Sequence, residues 1–425
     1  MTGFYPALAL PQIKFVTKSK QTMKQQSSII PKKRINSIDA LRGLALIGIL
    51  IWHCIEHFDL VHTPVLDSPF WQSVDDGVHT VARFIFQGKA YAIFSLLFGL
   101  SFFIQMDSQA DKGYDFRLRF LWRLFILLIL GYLNGLIYMG EFFVIYATVG
   151  VILIPLYKVP TKWLIGLGAI LFLQVPQIME FVSLLNNNVP NEPNKLNIEM
   201  SDLFSQAANV FINGSFWDVL SFNTVKGQTA KLLWFINEYR YLQLAGLFIF
   251  GMLIGRSGIH KSEEKMVKYS KKVMPYAFAW FAVFYAIVLL LPMFGVKDFA
   301  LEVGIGLFQT YANLGMLLVY VSGFTLLYYK SKSGRKVMDK IAPVGRMSVT
   351  NYMAQSFIGI FLFYGFGLNM AVECSYLQIV IVALFVCAFQ IFYSNWWIKR
   401  FYYGPMEWIW RMLTWLKPVP LRRKE

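Results

Sequence analysis

Runs of about 20 apolar residues recur along this chain, each long enough to cross a ~30 Å hydrocarbon core as a helix. Ten are present, at roughly 38–58, 82–106, 118–138, 141–157, 162–184, 240–256, 273–294, 301–329, 347–367 and 375–398. Helix is the expected form, because lipid offers no partner to an open sheet edge. Composition agrees: hydrophobic residues make up 56% of the 425 and charged residues only 15%, against about 25% charged in an average soluble domain. A soluble enzyme, a disordered chain and a disulfide-stapled secreted domain are thereby excluded. Cys54, Cys374 and Cys387 are too few and too scattered for a disulfide framework or a four-thiolate zinc site. No phosphate-binding loop of the Walker type and no G-x-G-x-x-G fingerprint is present, and no repeat of 20–50 residues recurs.

The net charge of +16 would point to nucleic acid in a soluble protein. Here its distribution points to topology instead, and no nucleic-acid partner is expected. If the N-terminus is cytoplasmic, the segments 1–38, 106–123, 157–162, 255–272, 330–346 and 399–425 lie inside, and they hold 32 of the 40 Lys and Arg. The positive-inside rule then predicts ten spans with both termini cytoplasmic.

Five regions follow. Residues 1–33 form a basic, acid-free cytoplasmic tail, expected to be disordered and not a cleaved secretory signal. Residues 34–184 and 240–398 form two bundles of five spans each. Residues 185–239 form a small extracytoplasmic cap of amphipathic helices, including Met200–Phe211 and Phe216–Phe222. Residues 399–425 carry a short interfacial helix beginning at Pro405, with Glu407 in its first turn and Trp408, Trp410 and Trp415 suited to the membrane surface.

The first span carries the chemistry. Asp39, Arg42 and His53 lie in or beside one apolar run, and ionisable groups are expensive in hydrocarbon unless they face the bundle interior. At 100° per residue Arg42 and His53 are about 20° apart around the helix and Asp39 and His53 about 40°, with ~16 Å of rise between Arg42 and His53. The stripe places a basic group at the cytosolic mouth and a proton acceptor at depth. The plainer reading of Asp39 and Arg42 is an i,i+3 pair at a helix start. Gly43 and Gly48 suit close helix packing, and Lys89, near the outer end of its run, is expected to snorkel. The pentapeptide His53-Cys54-Ile55-Glu56-His57 also fits the H-x-x-E-H signature of zinc hydrolases, with a third ligand to come from Asp59, His62, His79 or Glu141. No metal is expected.

Several patches resemble the YeiB-like bacterial membrane proteins, domain-of-unknown-function family 418. They are Arg34…Asp39-x-x-Arg42-Gly43, Phe94-Ser95-Leu96-Leu97-Phe98-Gly99, Gly345-Arg346-Met347-Ser348-x-Thr350-Asn351-Tyr352-x-x-Gln355-Ser356, Tyr364-Gly365-x-Gly367-Leu368 and Tyr403-Gly404-Pro405-x-Glu407-Trp408-x-Trp410-Arg411. That family is similar to a wider transmembrane acyltransferase group, which includes the lysosomal heparan-glucosaminide acetyltransferase and the acyltransferase-type-three proteins. The latter place a catalytic His eleven residues after an Arg in their first span, the spacing of Arg42 and His53. YeiB-like proteins more often have Asn at that His. After the third span the family usually shows His and then Gly-Asp; the matching residues here are Asn134 and Gly140-Glu141.

The resemblance implies a multi-pass protein of the bacterial cytoplasmic (inner) membrane, an integral membrane acyltransferase that moves an acyl group from cytosolic acyl-CoA, acetyl-CoA foremost, to an envelope sugar, polymer or lipid. His53 would be general base or acyl carrier, with Glu141 orienting it. Asp39, Arg42, Arg346, Asn351 and Gln355 would bind the donor. The alternatives are a small-solute transporter, a zinc membrane hydrolase and a non-catalytic scaffold; a homodimer is left open.

Overall fold

The structure, a computed structural model, describes residues 35–58, 64 and 66–423, without the side chains of His57 and Phe58. The N-terminal tail, Arg34, Asp59 and His62 lie outside the described residues. The described chain is helical throughout, and the one β contact among these residues is an isolated bridge between Phe401 and Arg422. Seven helical stretches are long and apolar enough to cross a membrane: Asn36–Glu56, Pro69–Ala110, Arg117–Ile137, Thr161–Leu185, Glu263–Phe294, Asp298–Lys330 and Tyr376–Arg400. The chain is a multi-pass membrane protein.

The other three of the ten runs form shorter helices. The run 141–157 is divided into Phe143–Gly150 and Leu153–Leu156, 240–256 becomes the 18-residue helix Arg240–Ser257, and 347–367 becomes the 16-residue helix Ser348–Phe363. The last stops where Gly365 meets the cap. Its amide donates to the Phe211 carbonyl at 2.8 Å, and the Phe211 and Tyr364 rings stack 4.5 Å apart. The run 82–106 begins inside a stretch of 42 helical residues, interrupted at 87–89, between helices Pro69–Phe86 and Ala90–Ala110. A straight helix of that length would span roughly 63 Å, about twice a hydrocarbon core, so the break is required of any single crossing.

We label the helices that frame the site α1 (Asn36–His53), α2 (Ala90–Ala110), α3 (Arg117–Ile137), α4 (Phe143–Gly150), α5 (Lys195–Asn213), α6 (Phe216–Asn237), α7 (Arg240–Ser257), α8 (Lys332–Arg346), α9 (Ser348–Phe363), α10 (Tyr376–Arg400) and α11 (Pro405–Trp415). In the stretch expected to form a cap, 185–239, the structure has the helices α5 and α6. Asn194 caps α5 by accepting from the Asn197 amide, and Ser215 with Asp218 forms a capping box on α6, so polar residues at each helix start replace the missing intrahelical bonds.

Helix α1 is the central strut. Of its apolar window, 72% is buried, against 17% for Glu263–Phe294, which lies at the periphery; a helix apolar all round belongs in the core. Helix α1 packs on α2, α8, α9 and α10, and α2 packs on α7, so the first and second halves of the sequence interleave. Two glycine pairs set the closest crossings. A Cβ on Gly345 would stand 1.9 Å from the Asp39 carbonyl oxygen, and one on Gly43 2.6 Å from that of Ile341. Gly99 of α2 and Gly251 of α7 meet the carbonyls of Phe248 and Leu96 in the same way, each with a Cβ contact of 2.0 Å. Small residues are what allow helix backbones to touch in a bilayer.

The Gly345 contact generates a prediction. Gly345→Ala should lower stability by about 1–3 kcal/mol, the usual cost of overpacking a filled interior. Gly166→Ala, where a Cβ meets nothing within 4 Å, should be neutral or stabilising. Unfolding midpoints in one detergent compare the two; equal midpoints would remove the close crossing from the account.

Candidate functional site

Asp39 stands in the first turn of α1 and is buried. The Arg42 guanidinium donates to its Oδ1 at 3.0 Å and to the Ser101 hydroxyl of α2 at 2.8 Å. Arg346, the last residue of α8, brings its Nε to 3.4 Å from Asp39 Oδ2. Three of the sequence-predicted donor-binding residues therefore form one cluster, two guanidiniums about one carboxylate, with Arg42 and Arg346 partly exposed. The plainer i,i+3 pairing of Asp39 with Arg42 is present within it. Asp39 is held there by backbone contact, since α8 lies directly on its carbonyl.

His53 closes α1 at the other end, just before the chain widens into a π-helical turn, Cys54–Phe58, an irregularity common at functional positions. The imidazole is buried among three rings: Tyr138 at 5.5 Å, Tyr352 at 6.0 Å, and Phe142, stacked at 6.3 Å. Tyr352 joins α9 to the loop after α3, its hydroxyl accepting from the Phe142 amide at 3.0 Å. Trp52 donates its indole N–H to Glu56. Phe142 also stacks on Tyr91 and meets Trp234 edge-on. Beyond them lies a polar knot in which Arg240 donates to Tyr91 at 3.1 Å and to Gln243 at 3.2 Å.

Glu141 is fully buried. Its carboxylate accepts from the amides of Phe143 and Val144, capping α4, and lies 3.6 Å from Lys231 Nζ. It turns to Lys231, not to the imidazole; Phe142 and Tyr352 are what connect the two. Asn134, one turn before the end of α3, donates to Ser356 at 3.0 Å. Asn351 donates to the Ser394 hydroxyl at 2.9 Å and to the Val344 carbonyl, and Gln355 donates to Gln390 at 2.9 Å. Those two are directed at α10 and α8, apart from the Asp39 cluster, and they fix α9, which carries Tyr352.

Lys231, Tyr138 and Tyr352 were not singled out in the sequence. Lys231 had a readable signal: Asn223, Gly227 and Lys231 recur at i, i+4 and i+8, and all three are buried along one face of α6. Tyr352 lies inside a quoted patch, but nothing in the spacing pairs it with His53. Lys89 is buried, its ammonium 5.5 Å from the Phe84 ring centre, so it does not snorkel. Of the zinc candidates with described side chains, His79 stacks on Tyr376 at 4.4 Å and Glu141 holds Lys231. No cluster of three His, Cys, Asp or Glu suited to a metal exists among the described residues.

Helix α11 begins at Pro405, as its sequence implies, and is fastened to the bundle. The Glu407 carboxylate accepts from the amides of Val349 and Thr350 at 2.6 and 3.1 Å and from the Thr350 hydroxyl at 2.6 Å, closing the start of α9. Burial pushes the Glu407 carboxyl above its ordinary range, and the Thr350 bonds pull it back.

Residues 254–417 match the family described as "Protein of unknown function (DUF418)". The chain is 26% identical over 413 residues to the uncharacterized protein YxaH of Bacillus subtilis (strain 168), covering 93% of this chain and 98% of that one. It is 26% identical over 395 residues to the uncharacterized protein YeiB of Escherichia coli (strain K12), covering 89% and 95%. An uncharacterized 39.9 kDa protein in the amylase 3' region of Bacillus acidopullulyticus is 25% identical over 393 residues, covering 92% and 97%. No solved structure matches. The resemblance to the YeiB-like family is borne out over most of the chain.

Removing one partner of a buried ion pair costs about 3–5 kcal/mol, because the other charge is left uncompensated. Lys231→Met should therefore destabilise strongly, and adding Glu141→Gln should restore most of the loss. A double-mutant cycle in unfolding free energy checks this; strictly additive losses would show that the two groups are uncoupled.

Proposed function

We propose that the chain is an integral membrane acyltransferase, moving an acyl group from acyl-CoA, acetyl-CoA foremost, to an envelope sugar, polymer or lipid. The observation that carries this reading is the division of labour along α1: a two-guanidinium cluster at one end and a buried imidazole ringed by aromatic side chains at the other. Guanidiniums are suited to bidentate phosphate recognition, so Arg42 and Arg346 hold the donor's phosphates, with Asp39 fixing both. Asn351 and Gln355 act at one remove, by positioning α9 and hence Tyr352. The ~16 Å between Arg42 and His53 along the helix is bridged by the donor's extended arm.

At the far end His53 takes the proton from the acceptor hydroxyl or amine as that atom attacks the thioester carbonyl. The carbon–sulfur bond breaks, and the thiolate leaves with a proton. An imidazole is the side chain whose ordinary titration range lets it accept and return a proton at neutral pH. Glu141, with Lys231, sets the electrostatic surroundings of the loop that packs Phe142 on His53. The finer topology belongs to the same reading: ten crossings of a bacterial inner membrane with both termini cytoplasmic, the shorter helices completing the count, and the cap over the acceptor side. Reporter fusions after residues 110, 160, 265, 340 and 425 then read cytosol, and fusions within 190–210 the outside.

His53→Asn keeps shape while removing the base. It should lower acyl transfer from labelled acyl-CoA by about 10²–10⁴-fold, the usual contribution of general acid–base catalysis, with CoA binding retained. Arg42→Gln should instead raise the KM for acyl-CoA. Full transfer by the His53 variant in purified, folded protein would dismiss the assignment.

A further inference from the structure

The stretch from Pro69 to Ala110 breaks at residues 87–89. Non-helical backbone in a membrane bundle is tolerated only where protein or a water-filled space surrounds it. Lys89 is the last residue of the break and is 3% exposed. Its ammonium makes no hydrogen bond and no ion pair among the described residues. The charge that acts on it, Arg83, has the same sign. The side-chain carbonyls at the break are already taken: Gln87 Oε1 accepts from Arg83 Nε at 2.9 Å, and Asn313 Oδ1 accepts from Gln309 Nε2 at 3.0 Å.

The contact that favours the Lys89 charge is the face of Phe84, 5.5 Å away, a ring met edge-on by Phe281 and Tyr285. A cation over a desolvated ring gains about 2 kcal/mol, whereas taking an ion out of water costs several kcal/mol even after relaxation. The ammonium is therefore under-compensated, at a depth where ionisable groups mark functional positions.

Other donors stand around it. Gly88 adopts a φ of +72°, and a Cβ there would lie 2.2 Å from Asn313 Nδ2, so the buried Asn313 amide rests directly on the break. Its Oδ1 is held by Gln309, its N–H groups face Gly88, and they have no acceptor among the described residues. The 21-residue helix α2 starts at the same break with no side chain capping it, and a helix start carries partial positive charge. Helical side chains lean toward the N-terminus, which carries Lys89 Nζ out over the break, toward Phe84 on the preceding helix.

We infer that the break between Pro69–Phe86 and α2 is a binding site for a small monovalent inorganic anion of halide size, held by the Lys89 ammonium and the Asn313 amide. The burial of both groups favours a compact ligand, and one uncompensated charge calls for a monovalent one. Arg83, exposed, adds to the potential that draws an anion in. Tyr91, two residues on, stacks on Phe142 of the His53 enclosure, so the anion steadies the start of α2 beside it. Occupancy does not depend on acyl transfer.

Full-length protein in detergent is unfolded by heat in sodium chloride and in equal concentrations of sodium gluconate, whose anion is far larger than a halide. The wild-type midpoint should rise saturably with chloride and end about 2 °C or more above that in gluconate, as mass action requires of an ion that binds the folded state alone. Lys89→Met keeps the length of the side chain and removes the charge. It should be at least as stable as the wild type in gluconate and lose the saturable rise. Asn313→Asp sets a fixed carboxylate beside the ammonium and should also lose the rise, with a higher midpoint in gluconate. Equal wild-type midpoints in the two salts would overturn the proposal, as would a saturable rise that persists in either folded variant. A Lys89→Met midpoint well below that of the wild type in gluconate would overturn it too, because the protein itself would then be the partner of the ammonium.

Discussion

A carboxylate inside a membrane bundle must be neutralised by neighbours, because an unpaired ion in a medium of low dielectric costs more than any single packing contact returns. Asp39 meets this demand with Arg42 from its own helix and Arg346 from α8. The arrangement exists because Gly43 and Gly345 let the two helices touch backbone to backbone. A larger residue at either would push the Arg346 side chain outward and leave the carboxylate under-compensated. Packing and electrostatics at this crossing are one constraint, and the placement of α1 follows from it. Once α1 is fixed there, His53, eleven residues after Arg42, is delivered to the aromatic enclosure formed by the loop after α3 and by α9.

The second buried charge problem is solved differently. Glu141 and Lys231 come from a loop and from the cap helix α6, so the pair ties the cap to the membrane bundle. The cap is tied again where Phe211 and Ile212 meet Tyr364 and Gly365. In both places a polar or glycine-containing patch marks a point where irregular backbone is tolerated because protein, not lipid, surrounds it.

Much of the helical architecture was legible in the sequence, because a 20-residue apolar run in lipid has few alternatives. The run 240–256 forms one helix over its whole length, and the two runs that are cut short are so for reasons a hydropathy reading does not register. Gly365 ends α9 by docking on α5, and the run 141–157 is broken after Gly150 into a turn and a single helical turn. The common face of Asp39, Arg42 and His53 was legible from helical geometry, since it depends on one helix alone. The partners Arg346, Ser101, Tyr352 and Lys231 come from remote segments, and no local period encodes which of them will meet. Asn351 and Gln355 show the converse limit: the sequence marks polar residues at the start of a span but not their partners, and their hydrogen bonds run to α8 and α10.

The central claim is that α1 carries a donor's phosphates at one end and the chemistry at the other. A cryo-EM map of the full chain with a non-hydrolysable acyl-CoA tests it most directly. The account predicts phosphate density against Arg42 and Arg346, with the acyl carbonyl facing the His53 ring across the space of one acceptor atom, which would lie within hydrogen-bond reach of the imidazole and about 3–3.5 Å from the carbonyl carbon. Density for the same molecule elsewhere, or with its acyl group at the Asp39 end of the helix, would contradict it.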